Sequence, residues 1–361
     1  MKLPVLLAAA AAIQAPLVQQ SLTRLVEVDG QVRRWMSEAD KRKVTDTPNL
    51  GSFAHLRSAA KPTYPALNHS HVIRPVLDTL STQHPKENLK EFTSFTTRYY
   101  QSETGRQSQQ WLLSRISNIT AEYSSETVKD KITITQFKHP WGQHSIIARI
   151  NGSSTTDDAI IIIGAHQDST NRIPALPSPG ADDDASGTVT ILETYRALIA
   201  ADFSPVRPVE FHWYAGEEGG LLGSAAVAQA YEVEGANVYA MLQLDMTAWV
   251  KNGTREEIGV FTDAVDPSLT EFNKKLVDAY VDLPWVETTY PGRACSDHFS
   301  WTQAGYPSSS YFEGAFENVN RNVHSINDRW DISPEFSFEH MLEFSKLGVA
   351  FAVELAGWTQ A

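Results

Sequence analysis

The chain has 361 residues, 42% hydrophobic and 20% charged, with 18 Pro and 20 Gly, the usage of a folded protein rather than a disordered, collagenous or coiled-coil one, and long enough for two domains or one large α/β unit with an appendage. Its 30 Lys and Arg against 43 Asp and Glu leave a net charge of −13, which excludes a protein that tracks nucleic-acid phosphates, because that needs clustered excess cations. A single cysteine, Cys295, excludes an intramolecular disulfide and a thiolate-rich metal site, so any metal must be held by histidines and carboxylates.

The chain opens on Met1-Lys2-Leu3-Pro4-Val5-Leu6-Leu7 and an alanine run, a basic start before a short apolar stretch that ends in small residues. That pattern predicts a secretory signal peptide over residues 1–15, too short to span a bilayer. No later segment reaches 18 consecutive apolar residues, so no membrane anchor is expected and the protein is expected to be secreted. Asn-X-Ser/Thr acceptors at Asn68, Asn118, Asn151 and Asn252 agree with export and are the expected glycosylation sites. Residues 1–75 carry ten basic and five acidic side chains, a net of +5 that leaves −18 for residues 76–361. Over 37–67 polar and turn residues show little sustained periodicity, and Pro62, Pro65 and Pro75 punctuate the end. Residues 16–75 therefore read as a removable pro-segment, or else an extension that stays attached, and 76–361 as the catalytic domain.

Apolar residues recur at helical spacing over 87–100 (Leu89, Phe92, Phe95) and over 108–119 (Trp111, Leu112, Ile116), which predicts two helices. Residues 132–135 alternate as a half-exposed strand and 145–150 continue the β-rich region. Residues 159–164 form a β-branched run of the kind buried on both faces of a parallel sheet. A helix over 186–201, a strand over 209–214, a helix over 221–231 and a strand over 238–244 follow, and an amphipathic helix over 338–355 closes the series. This βαβ alternation predicts an α/β fold, a mixed, mainly parallel sheet flanked by helices on both faces, with ligands beyond the carboxyl ends of the strands.

The polar residues at those strand ends carry the chemistry. Strand 159–164 runs into His166-Gln167-Asp168, strand 209–214 into Gly216-Glu217-Glu218 and strand 238–244 into Asp245, while Asp182-Asp183-Asp184 lies between the first two. Singly each is ordinary: a loop histidine, a solvated helix start, a surface pair. Gathered at one edge of a sheet, so many carboxylates repel one another without a cation, and a pair of divalent metals resolves the conflict. His324, near Asn318, Asn320 and Asn322 in an irregular loop, is a more distant candidate ligand.

Gly-Ala-His166-Gln-Asp168-Ser, Pro-Gly-Ala-Asp-Asp183-Asp-Ala-Ser-Gly, Glu217-Glu218-Gly-Gly-Leu-Leu-Gly-Ser, Gln-Leu-Asp245-Met and Val-His324-Ser resemble, in order, the motif series of the M28 di-zinc aminopeptidases, above all the secreted fungal leucine aminopeptidases. The resemblance spans residues 85–355 and implies the zinc-exopeptidase, phosphorylase/hydrolase-like version of the fold. It implies that Asp183 bridges two Zn2+ ions, with His166 and Asp245 on one and Glu218 and His324 on the other. Zinc suits a set of imidazoles and carboxylates. Asp168 would accept the free ring N–H of His166, and Asp184 would follow Asp183 across a cis peptide. A water between the metals would attack the scissile carbonyl, and Glu217 would take its proton and pass it to the leaving amine. The substrate's free α-amino group would bind at one zinc, which selects peptides with a free N-terminus and excludes acetylated ones. Met246, Cys295, Phe312, Phe316, Val319 and Val323 fall at or near positions that line the family's pocket for the first side chain, a composition that suits Leu, Phe or Met.

Two departures stand out. Relatives commonly carry a Cys-Gly-Tyr-Ala-Cys loop closed by a disulfide, whereas here the loop reads Pro291-Gly292-Arg293-Ala294-Cys295, which implies a free thiol. Arg293 stands where a tyrosine hydroxyl helps to hold the oxyanion in relatives, and its guanidinium has donors for the same charge. The competing readings are a glutaminyl cyclase-like acyltransferase on the same fold, a binding domain that has lost catalysis, and a serine hydrolase, for which no Gly-X-Ser-X-Gly elbow is present. The expected partners are peptides and the chain's own basic pro-segment docked on the acidic body; no nucleic acid or membrane is expected, and the protein is expected to be a monomer.

Overall fold

The computed structural model describes residues 62–173, 176–290 and 296–359, with the backbone of two N-terminal strands, β1 (Thr23–Val28) and β2 (Val32–Ser37). These two pair antiparallel, Val28 opposite Val32, within a first unit, Met1–Leu56; the second unit runs from Arg57 to Ala361. The expected signal peptide and the rest of the pro-segment up to residue 61 lie outside the described residues.

The second unit begins with four helices, α1 (Ser70–Leu77), α2 (Gln83–Phe92), α3 (Glu103–Tyr123) and the single turn α4 (Glu126–Lys129). Strands β3 (Ile132–Phe137), β4 (Ser145–Ile150) and β5 (Ile160–His166) follow, then α5 (Gly187–Ala200), β6 (Val209–Tyr214), α6 (Leu222–Glu234) and β7 (Val238–Leu244). The remainder is β8 (Ile258–Phe261), α7 (Pro267–Tyr280), β9 (Trp285–Thr288), α8 (His298–Gln303), β10 (Ser308–Phe312) and α9 (Phe338–Ala356). Eight strands make one sheet in the order β3-β4-β6-β5-β7-β10-β8-β9. Its centre, β6-β5-β7-β10, is parallel throughout, so the carboxyl ends of four strands share one edge.

Strand alternation explains the two covered faces. Ile161, Ile163 and Ala165 join Phe211, Trp213, Leu242 and Leu244 in the core under α2, α3, α5, α7 and α9. Ile160 and Ile162, one step out of phase, pack with Tyr214, Met241, Val227 and Trp301 under α6 and α8. Side-chain caps mark the helix starts: Ser102 accepts from the Gly105 N–H, Asp266 from Leu269 behind Pro267 at the first helical position, and Ser337 from His340.

Three features differ from the sequence reading. The helix expected over 87–100 ends at Phe92, because residues 93–100 turn back to the sheet edge, where Thr97 bridges Ser178 and Arg98 is fully buried. The boundary expected at 75/76 falls inside α1, which contains Pro75 and buries Val72, Ile73 and Val76. Just before it, the carboxylate of Glu354 in α9 accepts the backbone N–H groups of Asn68 and His69 at 3.1 Å each and lies 2.9 Å from His69 Nδ1, so residues 68–77 belong to the folded body. The third difference is that β8, β9 and β10, only four or five residues long, emerge from a stretch that carried no clear periodic signal.

Candidate metal centre

The parallel centre of the sheet delivers the site. His166 is the last residue of β5, Glu217 and Glu218 follow β6 after a turn at Gly216 (φ +71°), and Asp245 immediately follows β7. Asp183 and Asp184 come from the turn Ala181–Ser186 that leads into α5, and the peptide between them is cis. His324 arrives from the long loop after β10 with its backbone at φ +56°, and Met246 adopts φ +55° beside Asp245. Such left-handed conformations at non-glycine residues are uncommon and cluster at functional sites.

The Asp183 carboxylate faces both imidazoles: Oδ1 lies 3.1 Å from His166 Nε2 and Oδ2 lies 3.0 Å from His324 Nε2. Asp245 Oδ1 is 3.5 Å from His166 Nε2, and Glu218 Oε2 is 3.1 Å from His324 Nε2. Donor atoms around a tetrahedral zinc, each about 2.0–2.2 Å from the ion, sit about this far from one another. Spatial proximity also sets Asp184 with His166 and Asp245. Its oxygens are committed elsewhere, however, to the backbone N–H groups of His166 (3.0 Å), Gly187 (2.8 Å) and Met246 (3.0 Å), so Asp184 shapes the backbone around the site.

The electrostatics favour positive charge at the centre of the site. Burial alone lowers the pKa of His166, but Asp245, Asp168 and Asp183 more than offset it and hold the imidazole well above its ordinary value. Hydrogen bonds to Asp183 and Glu218 raise His324 to about 11, and burial, reinforced by Asp183, raises Glu218 to about 7. Asp183 itself is lowered, burial being overcome by the two imidazoles. Protons on the histidines thus stand where metal ions would supply the positive charge. Glu218 Oε1 and Asp245 Oδ1 are buried without hydrogen-bond partners, as expected of donor atoms meant for a metal, and the set of imidazole and carboxylate fits zinc.

Behind these groups, Asp168 holds backbone rather than the His166 ring N–H expected for it. Its Oδ1 lies 3.6 Å from His166 Nδ1, beyond hydrogen-bond range, and its two oxygens accept the backbone N–H groups of Glu217 (3.0 Å) and Glu218 (3.2 Å). Burial pushes the Glu217 carboxyl well above the ordinary carboxylate range, with Asp297, Glu218 and Asp245 adding to the shift against His166. Met246, Phe312 and Val319 form one apolar cluster, with Phe316 and Val323 packed against it, and the structure adds Phe261 and Tyr290, stacked at 3.5 Å between ring centroids. An open cavity of about 690 Å³ flanks the cluster at Phe316, lined also by Thr262, Thr288, Glu317 and Arg321. Arg293 and Cys295 lie outside the described residues. Of the expected glycan acceptors, Asn68, Asn118 and Asn252 are exposed, whereas Asn151 is half-buried and accepts from Arg149 at 2.9 Å.

Several supporting residues escaped the sequence reading. Arg98 is buried and donates to the carbonyls of Gln167 (2.9 Å), Gly180 (2.8 Å) and Pro179, joining the ends of the loop between His166 and the aspartates; burial lowers it to about 10, so it stays charged at neutral pH. Asp328 accepts the N–H groups of Asp182 (2.9 Å) and Asp183 (3.1 Å). Asp182, Glu313 and Asn320 form a buried polar cluster. An arginine set among the aromatics of residues 92–100 was the one available sign of Arg98; Asp182 and Asn320 stood out only as members of the aspartate run and the asparagine-rich loop, and Glu313 and Asp328 had no sign.

Residues 145–345 match peptidase family M28. The leucine aminopeptidase 1 of Penicillium rubens is 43% identical over 353 residues, covering 92% of this chain and 89% of that protein. That of Trichoderma harzianum is 43% identical over 354 residues, covering 92% and 86%. Among solved structures, the LapA aminopeptidase of Legionella pneumophila matches with a TM-score of 0.75 and 31% identity, covering 84% of this chain and 79% of that one.

Proposed function

The chain belongs to peptidase family M28 and is an aminopeptidase, and on that premise we propose that it is a secreted enzyme that removes apolar N-terminal residues, leucine foremost, with two Zn2+ ions held by His166, Asp183, Glu218, Asp245 and His324. The single observation that carries the reading is the Asp183 carboxylate, with one oxygen beside each imidazole. When bound, zinc supplies Lewis acidity towards the scissile carbonyl and lowers the pKa of water.

The chain's own residues do the rest. Asp183 divides its two oxygens between two sets of donors, His166 with Asp245 and His324 with Glu218. Asp168 fixes the backbone of Glu217 and Glu218, so one carboxyl faces the donors while the other is left to move protons. Glu217 is the base: a carboxyl raised by burial is suited to taking a proton from water and returning it to the leaving amine near neutral pH. The cluster of Met246, Phe261, Tyr290, Phe312 and Val319 supplies the apolar surface for the first side chain. Peptides with a free amino terminus are the substrates, and the basic segment before residue 62 is the enzyme's own docking partner until it is removed.

The test is an assay of the processed protein on Leu-, Arg- and acetyl-Leu-p-nitroanilide and on a glutaminyl peptide, with and without chelator and zinc, together with a metal count. Fast release from Leu, none from acetyl-Leu, loss on chelation and two zinc per chain are expected. Cleavage of acetyl-Leu, cyclisation of the glutaminyl peptide as the main reaction, or activity untouched by prolonged chelation overturns the proposal.

A further inference from the structure

The loop after β10 carries two residues of the apolar cluster proposed to receive the first side chain, Val319 and Val323, and then His324. Its residues 316–318 and 321–323 are half-buried or exposed, but Asn320 between them is 1% exposed. Both ends of that residue are tied to buried acids. The Asn320 backbone N–H donates to Glu313 Oε1 at 2.8 Å, its Nδ2 donates to Asp182 Oδ2 at 3.1 Å, and its Oδ1 accepts the Asn322 N–H at 2.9 Å. The two side-chain contacts fix the amide orientation, since only Nδ2 can face a carboxylate and only Oδ1 can face an N–H.

The two acids reach further. Asp182 Oδ1 accepts the Ala248 N–H at 3.2 Å and Glu313 Oε2 accepts the Trp249 N–H at 2.8 Å, while the Glu313 N–H donates to the Met246 carbonyl at 2.9 Å. Burial raises both the Asp182 and the Glu313 carboxyl above the ordinary carboxylate range, and each carboxyl bears on the other's charge. Three segments that build the pocket, at 182–183, 246–249 and 312–324, are therefore joined at a single buried triad. Each of these bonds sits away from water, where a lost partner leaves an unsatisfied group and networks hold a single arrangement.

We propose that Asn320, clamped between Asp182 and Glu313, is a positioning residue that sets the width of the pocket for the first side chain, and so the preference of the enzyme for leucine over smaller residues. It touches neither substrate nor the candidate metal ligands; it acts through Val319 and Val323, which flank it. The inference rests on the aminopeptidase reading above and goes further by assigning side-chain selectivity to a residue outside the pocket lining.

The experiment compares kcat/KM for Leu- and Ala-p-nitroanilide in the zinc-loaded wild type and in Asn320→Ala, Asn320→Ser and Glu313→Gln. Asn320→Ser keeps the backbone bond to Glu313 and loses the long reach to Asp182. Glu313→Gln places an amide NH2 against a backbone N–H and breaks one of two ties. The Leu/Ala ratio is expected to fall about tenfold in each, the scale of a pocket that has lost its fit to a few methylenes, while the ratio between Leu-p-nitroanilide and Leu-amide stays at its wild-type value. The Leu/Ala ratio is internal to the folded fraction, so reduced yield or stability leaves it readable. An unchanged Leu/Ala ratio in all three variants overturns the proposal, whatever happens to total activity. A wild type without aminopeptidase activity instead overturns the reading on which it rests.

Discussion

Asp168 and Glu217 are joined through the backbone: the Asp168 carboxylate accepts the Glu217 N–H at 3.0 Å and, with its other oxygen, the Glu218 N–H at 3.2 Å. One carboxylate therefore steadies both a candidate zinc donor and the candidate base. Asp168→Asn is expected to lower zinc affinity or kcat/KM by about 10- to 100-fold, because its NH2 replaces one acceptor. A zinc titration and a kinetic assay of the purified variant decide this, and wild-type values in both refute the role.

Glu217 and Glu218 are adjacent in sequence and predicted to fail differently. Glu217→Gln should lower kcat by about a hundredfold or more with zinc content unchanged, as for the loss of a general base. Glu218→Gln should lose metal instead. Metal analysis beside single-substrate kinetics separates the two roles, and equal zinc loss in both variants refutes the assignment.

Zinc binding should expel protons. In the metal-free chain Asp183 and Glu218 raise His324 to about 11, so its imidazole is charged at neutral pH, whereas a zinc donor must be neutral. Zinc affinity is therefore expected to rise with pH across 6–8, with net proton release seen by calorimetry in buffers of different ionisation enthalpy. A pH-independent affinity contradicts this.

His139 contributes to the acid side of stability. It is buried, 2.7 Å from Ser145 Oγ and stacked on Trp141 at 4.5 Å, and burial, with a smaller effect of His144, lowers it to about 4. The unfolded chain has the higher pKa, about 6.5, and so binds more protons between the two values. The contribution is complete above about 6.5 and is lost as pH falls towards 4. His139→Asn should flatten the decline of the urea midpoint between pH 7 and pH 5.

The site of processing should respect α1. A chain beginning at Pro62 is expected to keep a higher denaturation midpoint than one beginning at Asp78. One beginning at Asp78 loses the burial of Val72, Ile73 and Val76, about 1.5–3 kcal/mol for each such side chain, and leaves the Glu354 carboxylate without its N–H donors. Equal midpoints for the two truncations refute the placement.

What was legible in the sequence was local. The run Ile160–Ile163 announced a doubly covered strand, and the strand-end rule gathered His166, Glu217, Glu218 and Asp245 without any contact being known. The helix over 87–100 was misread because Phe95 keeps the spacing of Leu89 and Phe92 while its neighbours bend to the sheet edge to bury Arg98. β10 was illegible for a different reason: Ser308-Ser309-Ser310 has no apolar pattern, and its strand conformation comes from parallel pairing with β7, with β8 joining only at Tyr311 and Phe312. Asp182, Glu313, Asn320 and Asp328 each depend on at least one partner 64 to 146 residues away, which no local window contains.

Arg98 has a consequence for how this site can diverge. Its guanidinium staples the two ends of the 167–180 loop, and Ser169, Asn171 and Ser178 lace the neck with hydrogen bonds to the Ser178 and Pro177 carbonyls and to that of Thr170. Beyond that neck Ile173 and Leu176 are 59% and 47% exposed, and the Arg172 N–H meets the His324 carbonyl at 3.1 Å. The loop is thus braced at its neck independently of His166 and Asp183, while Arg172 couples it to the backbone of His324. Substitutions at Ile173 and Leu176 can therefore change the surface beside the site, whereas a change that moves Arg172 reaches a candidate metal ligand.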